Sequence, residues 1–71
     1  MKEKRYLIKI YENLIYIENY ICIEEISSIQ IKIKLINKLI NIKGDDLLIN
    51  RLDEYDLSIC GEIKRIEFIN E

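Results

Sequence analysis

The sequence predicts an all-β fold: a small antiparallel β-sandwich, Ig-like or a partly closed barrel, of seven or eight short strands. Three observations carry this reading. Apolar residues recur at every second position along most of the 71-residue chain, the period of a strand with one buried face. Clusters of Asn, Asp, Glu, Ser and Gly break that alternation at short intervals, as tight connections do. The apolar residues are also of a strand-forming kind, with 18 Ile and no Ala; a branched Cβ stiffens χ1 and favours extended backbone.

In chain order, Ile8 and Ile10 flank Lys9, Ile15 and Ile17 flank Tyr16, and Ile21 and Ile23 flank Cys22. Glu12-Asn13, Glu18-Asn19 and the stretch 24–28 punctuate these segments. The clearest strand follows, with Ile29, Ile31, Ile33 and Leu35 alternating with Gln30, Lys32 and Lys34. Ile40 and Ile42 come after Asn37-Lys38, and Leu47 and Ile49 after Gly44-Asp45-Asp46. Leu57 and Ile59 follow the acidic stretch 53–56, and Ile63, Ile66 and Phe68 close the series after Gly61. A helix competes only from Asp46 to Tyr55, where Asp46 could cap Leu47-Leu48 with Leu52 one turn on. Strand is the preferred reading there too.

One hairpin is expected in register. With Asn37-Lys38 as a two-residue loop, Leu35 faces Ile40, Ile33 faces Ile42, and Ile31 faces Gly44. Both arms then turn their apolar residues to one side, an arrangement that a slip of one residue would destroy. Asn37 suits a positive φ, whereas Lys38 is not the Gly such a loop prefers. The opposite face would set Lys32 against Lys43 and Lys34 against Asn41, giving a basic stripe of Lys32, Lys34 and Lys43. Like charges directly opposed destabilise a pair, so an acidic neighbour, from another strand or a partner, is expected beside them. Gly44 and Gly61 each close an alternating segment and are expected to be positive-φ turns or bulges, structural in role like Asn37.

Composition bounds function more by exclusion. The chain is expected to form one domain over 1–71, with 1–5 as a loose leading segment. A net charge of −2 and pI near 5.2 argue against a general polyanion binder. No His is present, which removes the usual general base and the commonest metal ligand. Cys22, Cys60, Ser27, Ser28 and Ser58 therefore lack the partner that activates a nucleophile. Two Cys without His make no structural zinc site and read as reduced, buried small residues. The acidic pairs Asp45-Asp46 and Glu24-Glu25 match neither a calcium loop nor a carboxylate couple across a cleft. Two glycines build no phosphate-binding loop. The expectation is a non-enzymatic protein without cofactor or metal.

No targeting segment is expected, because Lys9 and Glu12 interrupt the hydrophobic region of a signal peptide. No apolar run exceeds four residues, as in Leu14 to Ile17, far short of the ~20 residues of a membrane-spanning helix. A small barrel binding single-stranded nucleic acid through Lys32, Lys34 and Lys43 is the alternative function. Such a site needs aromatic residues among its lysines, yet the tyrosines stand at 6, 11, 16, 20 and 55, with Phe68 remote. The adjacent apolar pairs Leu7-Ile8, Leu14-Ile15 and Leu47-Leu48 leave more greasy surface than one small core can cover. A second face meeting another copy or a protein partner is expected, with Tyr11, Tyr16, Tyr20 and Leu48 as candidate interface residues.

Three stretches carry a family likeness: Leu14-Ile15-Tyr16-Ile17-Glu18-Asn19-Tyr20, Leu39-Ile40-Asn41-Ile42-Lys43-Gly44-Asp45-Asp46-Leu47-Leu48-Ile49, and Cys60-Gly61-Glu62-Ile63-Lys64-Arg65-Ile66-Glu67-Phe68. In order and spacing they resemble the YabP/YqfC family of small bacterial sporulation proteins, nearer the YqfC branch, from about Ile10 to Phe68. The chain departs from that pattern at Cys22 and at Asn37-Lys38, where Gly is frequent. It also departs in its short basic start of Lys2, Lys4, Arg5 and Lys9. The resemblance implies a non-enzymatic factor of endospore formation, cytoplasmic in the mother cell or peripheral at the forespore outer membrane. It further implies a soluble companion to an integral membrane sporulation protein.

Overall fold

The computed structural model describes residues 5–70; the expected loose segment lies, apart from Arg5, outside the described residues. The strands are β1 (Leu7–Ile10), β2 (Leu14–Glu18), β3 (Cys22–Ile26), β4 (Gln30–Leu35), β5 (Lys38–Leu52) and β6 (Asp56–Asn70). They form one open antiparallel sheet in the order β1-β2-β6-β5-β4-β3. The described residues contain no helix, the Asp46–Tyr55 segment included, and so none long and apolar enough to cross a membrane. The fold is all-β. It is not the expected sandwich of seven or eight strands.

The difference lies in the two glycines. Gly44 and Gly61 end no strand: β5 runs 15 residues through Gly44-Asp45-Asp46, and β6 runs 15 through Gly61. Their mutual register shifts between Lys43 and Gly44, between Asp45 and Leu48, and between Ile49 and Arg51. Lys64 is the extra residue at the first shift, Asp46-Leu47 opposes Gly61 alone at the second, and Asn50 is extra at the third. These are β-bulges, which bend a ribbon and increase its twist without ending it. Asp46 and Gly61 take positive φ values of 53° and 133°, whereas Gly44 does not, so its glycine answers to crowding alone.

Bending the ribbon lets one sheet bury its own face. β4 pairs with the first part of β5, from Lys38 to Lys43, and β2 pairs with the first part of β6, from Asp56 to Cys60. These two pairings sit at opposite ends of the ribbon, on either side of the first two bulges. A single core nonetheless joins Ile15 and Ile17 of β2, Ile31, Ile33 and Leu35 of β4, Ile40, Ile42 and Leu47 of β5, and Leu57 and Ile59 of β6. Each fully buried Ile or Leu stabilises the fold by about 1.5–3 kcal/mol relative to exposure. The tip between β3 and β4 ties down the bend: the Gly44 amide donates to the Ile29 carbonyl (3.1 Å) and the Leu47 amide to the Ser28 carbonyl (2.8 Å).

The β4–β5 hairpin differs from expectation by two residues. Its loop is Ile36-Asn37, so Leu35 faces Lys38, Ile33 faces Ile40, and Ile31 faces Ile42. A slip of two preserves which face each side chain takes and changes every partner. Asn37 occupies the second loop position with φ 63°, and Asn tolerates that left-handed conformation. Ile36 has no positive φ, which excludes a type I′ turn. In the observed register Lys32 faces Asn41 and Lys43 faces Gln30, so the lysine opposition of the expected register does not arise.

Candidate interaction surface

Tyr6, Ile8, Ile10, Lys38 and Phe68 line an open groove of about 510 Å³. Strand parity explains why it is greasy. Ile8 and Ile10 face Ile17 and Ile15 across the β1–β2 ladder, and Phe68 faces Ile40 across β5–β6. All three therefore belong to the core side of the sheet. Among the described residues β1 pairs only with β2, and the part of β6 from Glu62 to Asn70 pairs only with β5. With no further described strand to cover them, Ile10 and Phe68 are 55% and 50% exposed. The Lys38 ammonium stands at the rim and donates to Asn70 Oδ1 at 3.1 Å.

Phe68 was not among the sequence candidates for an interface. The signal available was its place in the last alternation, beside Ile63 and Ile66, which marks it as a core-parity side chain. Of the four candidates, Tyr16 and Leu48 share the outer face of the β1-β2-β6-β5 end. They lie on adjacent rows, Leu14–Cys60–Leu48 and Lys9–Tyr16–Ser58–Arg51. Tyr11 is exposed in the β1–β2 turn. Tyr20 is elsewhere, packed against the core with its hydroxyl donating to the Asp53 carbonyl at 3.1 Å. The four therefore form no single patch.

Tyr16 has a definite electrostatic setting. Its hydroxyl donates to Asp56 Oδ2 at 3.1 Å and lies 3.5 Å from Glu18 Oε2. Partial desolvation, then the hydrogen bond to Asp56 and the charges of Asp56 and Glu18, raise its pKa above the ordinary 10.0. The Lys9 ammonium lies 5.8 Å from the ring centroid, within cation–π range.

The lysines expected to form a stripe are interleaved with acids. Lys32 Nζ lies 3.6 Å from Glu25 Oε1, and Lys43 Nζ 3.9 Å from Glu67 Oε1. Asn41 Nδ2 donates to Glu67 Oε1 at 3.3 Å, and Arg65 Nε lies 3.0 Å from Glu67 Oε2. The row Glu25–Lys32–Asn41–Glu67 thus crosses four strands with acid at both ends. Lys34 faces Cys22 and Leu39. No electropositive groove with stacking aromatics results.

Both cysteines are free, but the expectation that they are buried is corrected: Cys22 is exposed on an edge strand and Cys60 is half-buried. A second hollow of about 330 Å³ lies among Asn19, Tyr20, Ile21, Ile36, Glu54 and Tyr55. Its one carboxylate, Glu54, has no acid or base beside it among those lining residues. Among the described residues no three His, Cys, Asp or Glu side chains gather as metal ligands. Comparison with family models, with curated proteins and with solved structures returned no match.

Proposed function

We propose that this chain is a non-enzymatic protein-interaction module that receives an apolar segment of a partner protein in the groove between β1 and the end of β6. The observation that carries the reading is the exposure of core-parity side chains, Ile10 and Phe68, on opposite walls of one groove. Covering such surface is favourable at about 25 cal/mol per Å², and a small domain gains proportionally more from it than a large one. The resemblance to the YabP/YqfC family supports a setting in sporulation, on the mother-cell side of the forespore outer membrane. The partner is then an integral membrane sporulation protein.

The nucleic-acid alternative lacks comparable support, because Glu25 and Glu67 neutralise Lys32 and Lys43. The test is whether an adjacent gene encodes a membrane protein and whether that protein co-purifies with this chain from sporulating cells. Wild type is expected to bring that protein down, and Phe68→Asp to lose it while its circular dichroism stays that of a β protein. Equal recovery with folded Phe68→Asp, or no recovery with wild type, would refute the proposal.

A further inference from the structure

Four stretches of sheet edge have no neighbour among the described residues, and they are not equivalent. β3 carries a bulge at Glu24 between its Ile23 and Glu25 pairs, a feature that discourages further pairing. β1 is four residues long. The end of β5 is broken by the extra residue Asn50. The end of β6 differs: Arg65 to Asn70 hold an unbroken register with β5, from Lys43↔Arg65 to Lys38↔Asn70. The chain has no Pro to obstruct an added strand.

The charges on that edge have a self-complementary order. Arg65 and Glu67 face outward beside Lys43 and Asn41, while Ile66 and Phe68 face inward beside Ile42 and Ile40. When a strand pairs with its own copy about a two-fold axis normal to the sheet, opposed residues share a face, so the axis passes through a residue. An axis through Glu67 opposes two carboxylates. One through Phe68 sets Glu67 against Ile69. An axis through Ile66 sets Ile66 against its copy and Arg65 against Glu67 of the second chain, twice.

We infer that two copies of this chain associate by antiparallel pairing of the β6 edges centred on Ile66, with reciprocal Arg65–Glu67 ion pairs. The contact is isologous, so it closes as a dimer and does not propagate. It also brings two grooves, each walled by Phe68, to either side of one axis. Self-association does not depend on the partner proposed above.

A charge-swap experiment tests the register. Sedimentation equilibrium of the full chain, from micromolar to millimolar concentration, is expected to show wild type becoming dimeric. Arg65→Glu opposes two carboxylate pairs across the axis and is expected to weaken association by about 100-fold or more. Glu67→Arg alone does likewise with two guanidinium pairs. An equimolar mixture of the two variants restores both ion pairs and is expected to form the heterodimer. Hydrogen exchange gives a second measurement, in case Glu67→Arg fails to fold. Amides between Arg65 and Ile69 are expected to be slower in concentrated wild type than in Arg65→Glu, with β1 amides unchanged. A wild type monomeric throughout, an unchanged dimer with Arg65→Glu, folded variants that do not pair when mixed, or equal exchange would each overturn the inference.

Discussion

The carbonyl oxygen of Glu62 occupies the space where Gly44 would carry a β-carbon. This approach lies at the point where β5 and β6 change register, and the Glu62 carbonyl belongs to backbone that cannot swing aside. Gly61 stands in a similar position: a β-carbon there would meet the Asp46 carbonyl oxygen at 2.6 Å, with φ already at 133°. The bend that joins the two ends of the sheet over one core therefore depends on two missing side chains.

Alanine at either glycine should unfold or loosen the domain. Gly44→Ala is expected to cost about 3 kcal/mol or more, and Gly61→Ala a comparable amount through strain and overlap. For a domain this small, that loss approaches the whole stability. Chemical denaturation with a far-ultraviolet readout checks it; a variant within 1 kcal/mol of wild type, a limit of about the usual mutational scatter, contradicts the account.

The domain should weaken in alkali, in part through Tyr16. Its phenol holds its proton more tightly in the folded state than in the unfolded chain, so the associated stability is complete below pH 10.0 and is lost as pH rises through the folded-state value. Lys64 adds a loss of the same sign: its hydrogen bond with Asp45 and the charges of Asp45 and Glu62 hold the ammonium pKa above 10.5. Denaturation midpoints between about pH 9 and about pH 12 are expected to fall less steeply for Tyr16→Phe than for wild type. Parallel profiles would exclude the Tyr16 contribution.

Asn37 tests the hairpin loop. Gly removes the penalty of φ 63°, and Asn37→Gly is expected to be neutral or to stabilise by a few tenths of a kcal/mol. Asn37→Val is expected to cost about 1–2 kcal/mol, since a β-branched residue is disfavoured at positive φ. Lys38, assigned to the loop by the sequence pattern, lies in β5, so Lys38→Val should be tolerated. A reversed order of the two sites would restore the loop expected from sequence.

Among the described residues, Asn41 is the one buried polar side chain with an unmet need. It is 5% exposed, and its Oδ1 has no hydrogen-bond partner. Asn41→Val gives up the 3.3 Å contact to Glu67 and removes that orphan acceptor from a central strand. The expected result is a gain of about 1 kcal/mol in unfolding free energy. A loss of similar size would mean that the amide is better satisfied in solution than its geometry indicates.

How much of this was legible beforehand divides cleanly by range. The two-residue period told which side chains face inward, because parity is a property of each strand alone. Ile31, Ile33 and Leu35 against Gln30, Lys32 and Lys34 needed no knowledge of neighbours. The β4–β5 register was not legible to the same degree: a slip of two leaves parity intact, and the preference for separated lysines and for Asn at the second loop position is weaker than parity. The groove was less legible still, since Ile10 and Phe68 carry a core pattern and are exposed because, among the described residues, each has a strand on one side alone.

Extended backbone, the inward and outward faces, and the need for glycine at positions 44 and 61 were set by the chain alone, through Cβ branching, alternation and steric size. Whether those glycines would turn the chain back or merely bend it was set by the tertiary structure. A turn and a bulge demand the same small residue, and they differ only in whether a partner strand continues alongside. Here β5 and β6 continue beside each other past both sites. Seven or eight expected strands thus became six, and a sheet with two long members folded its own greasy face inward and left the groove beside Phe68 uncovered.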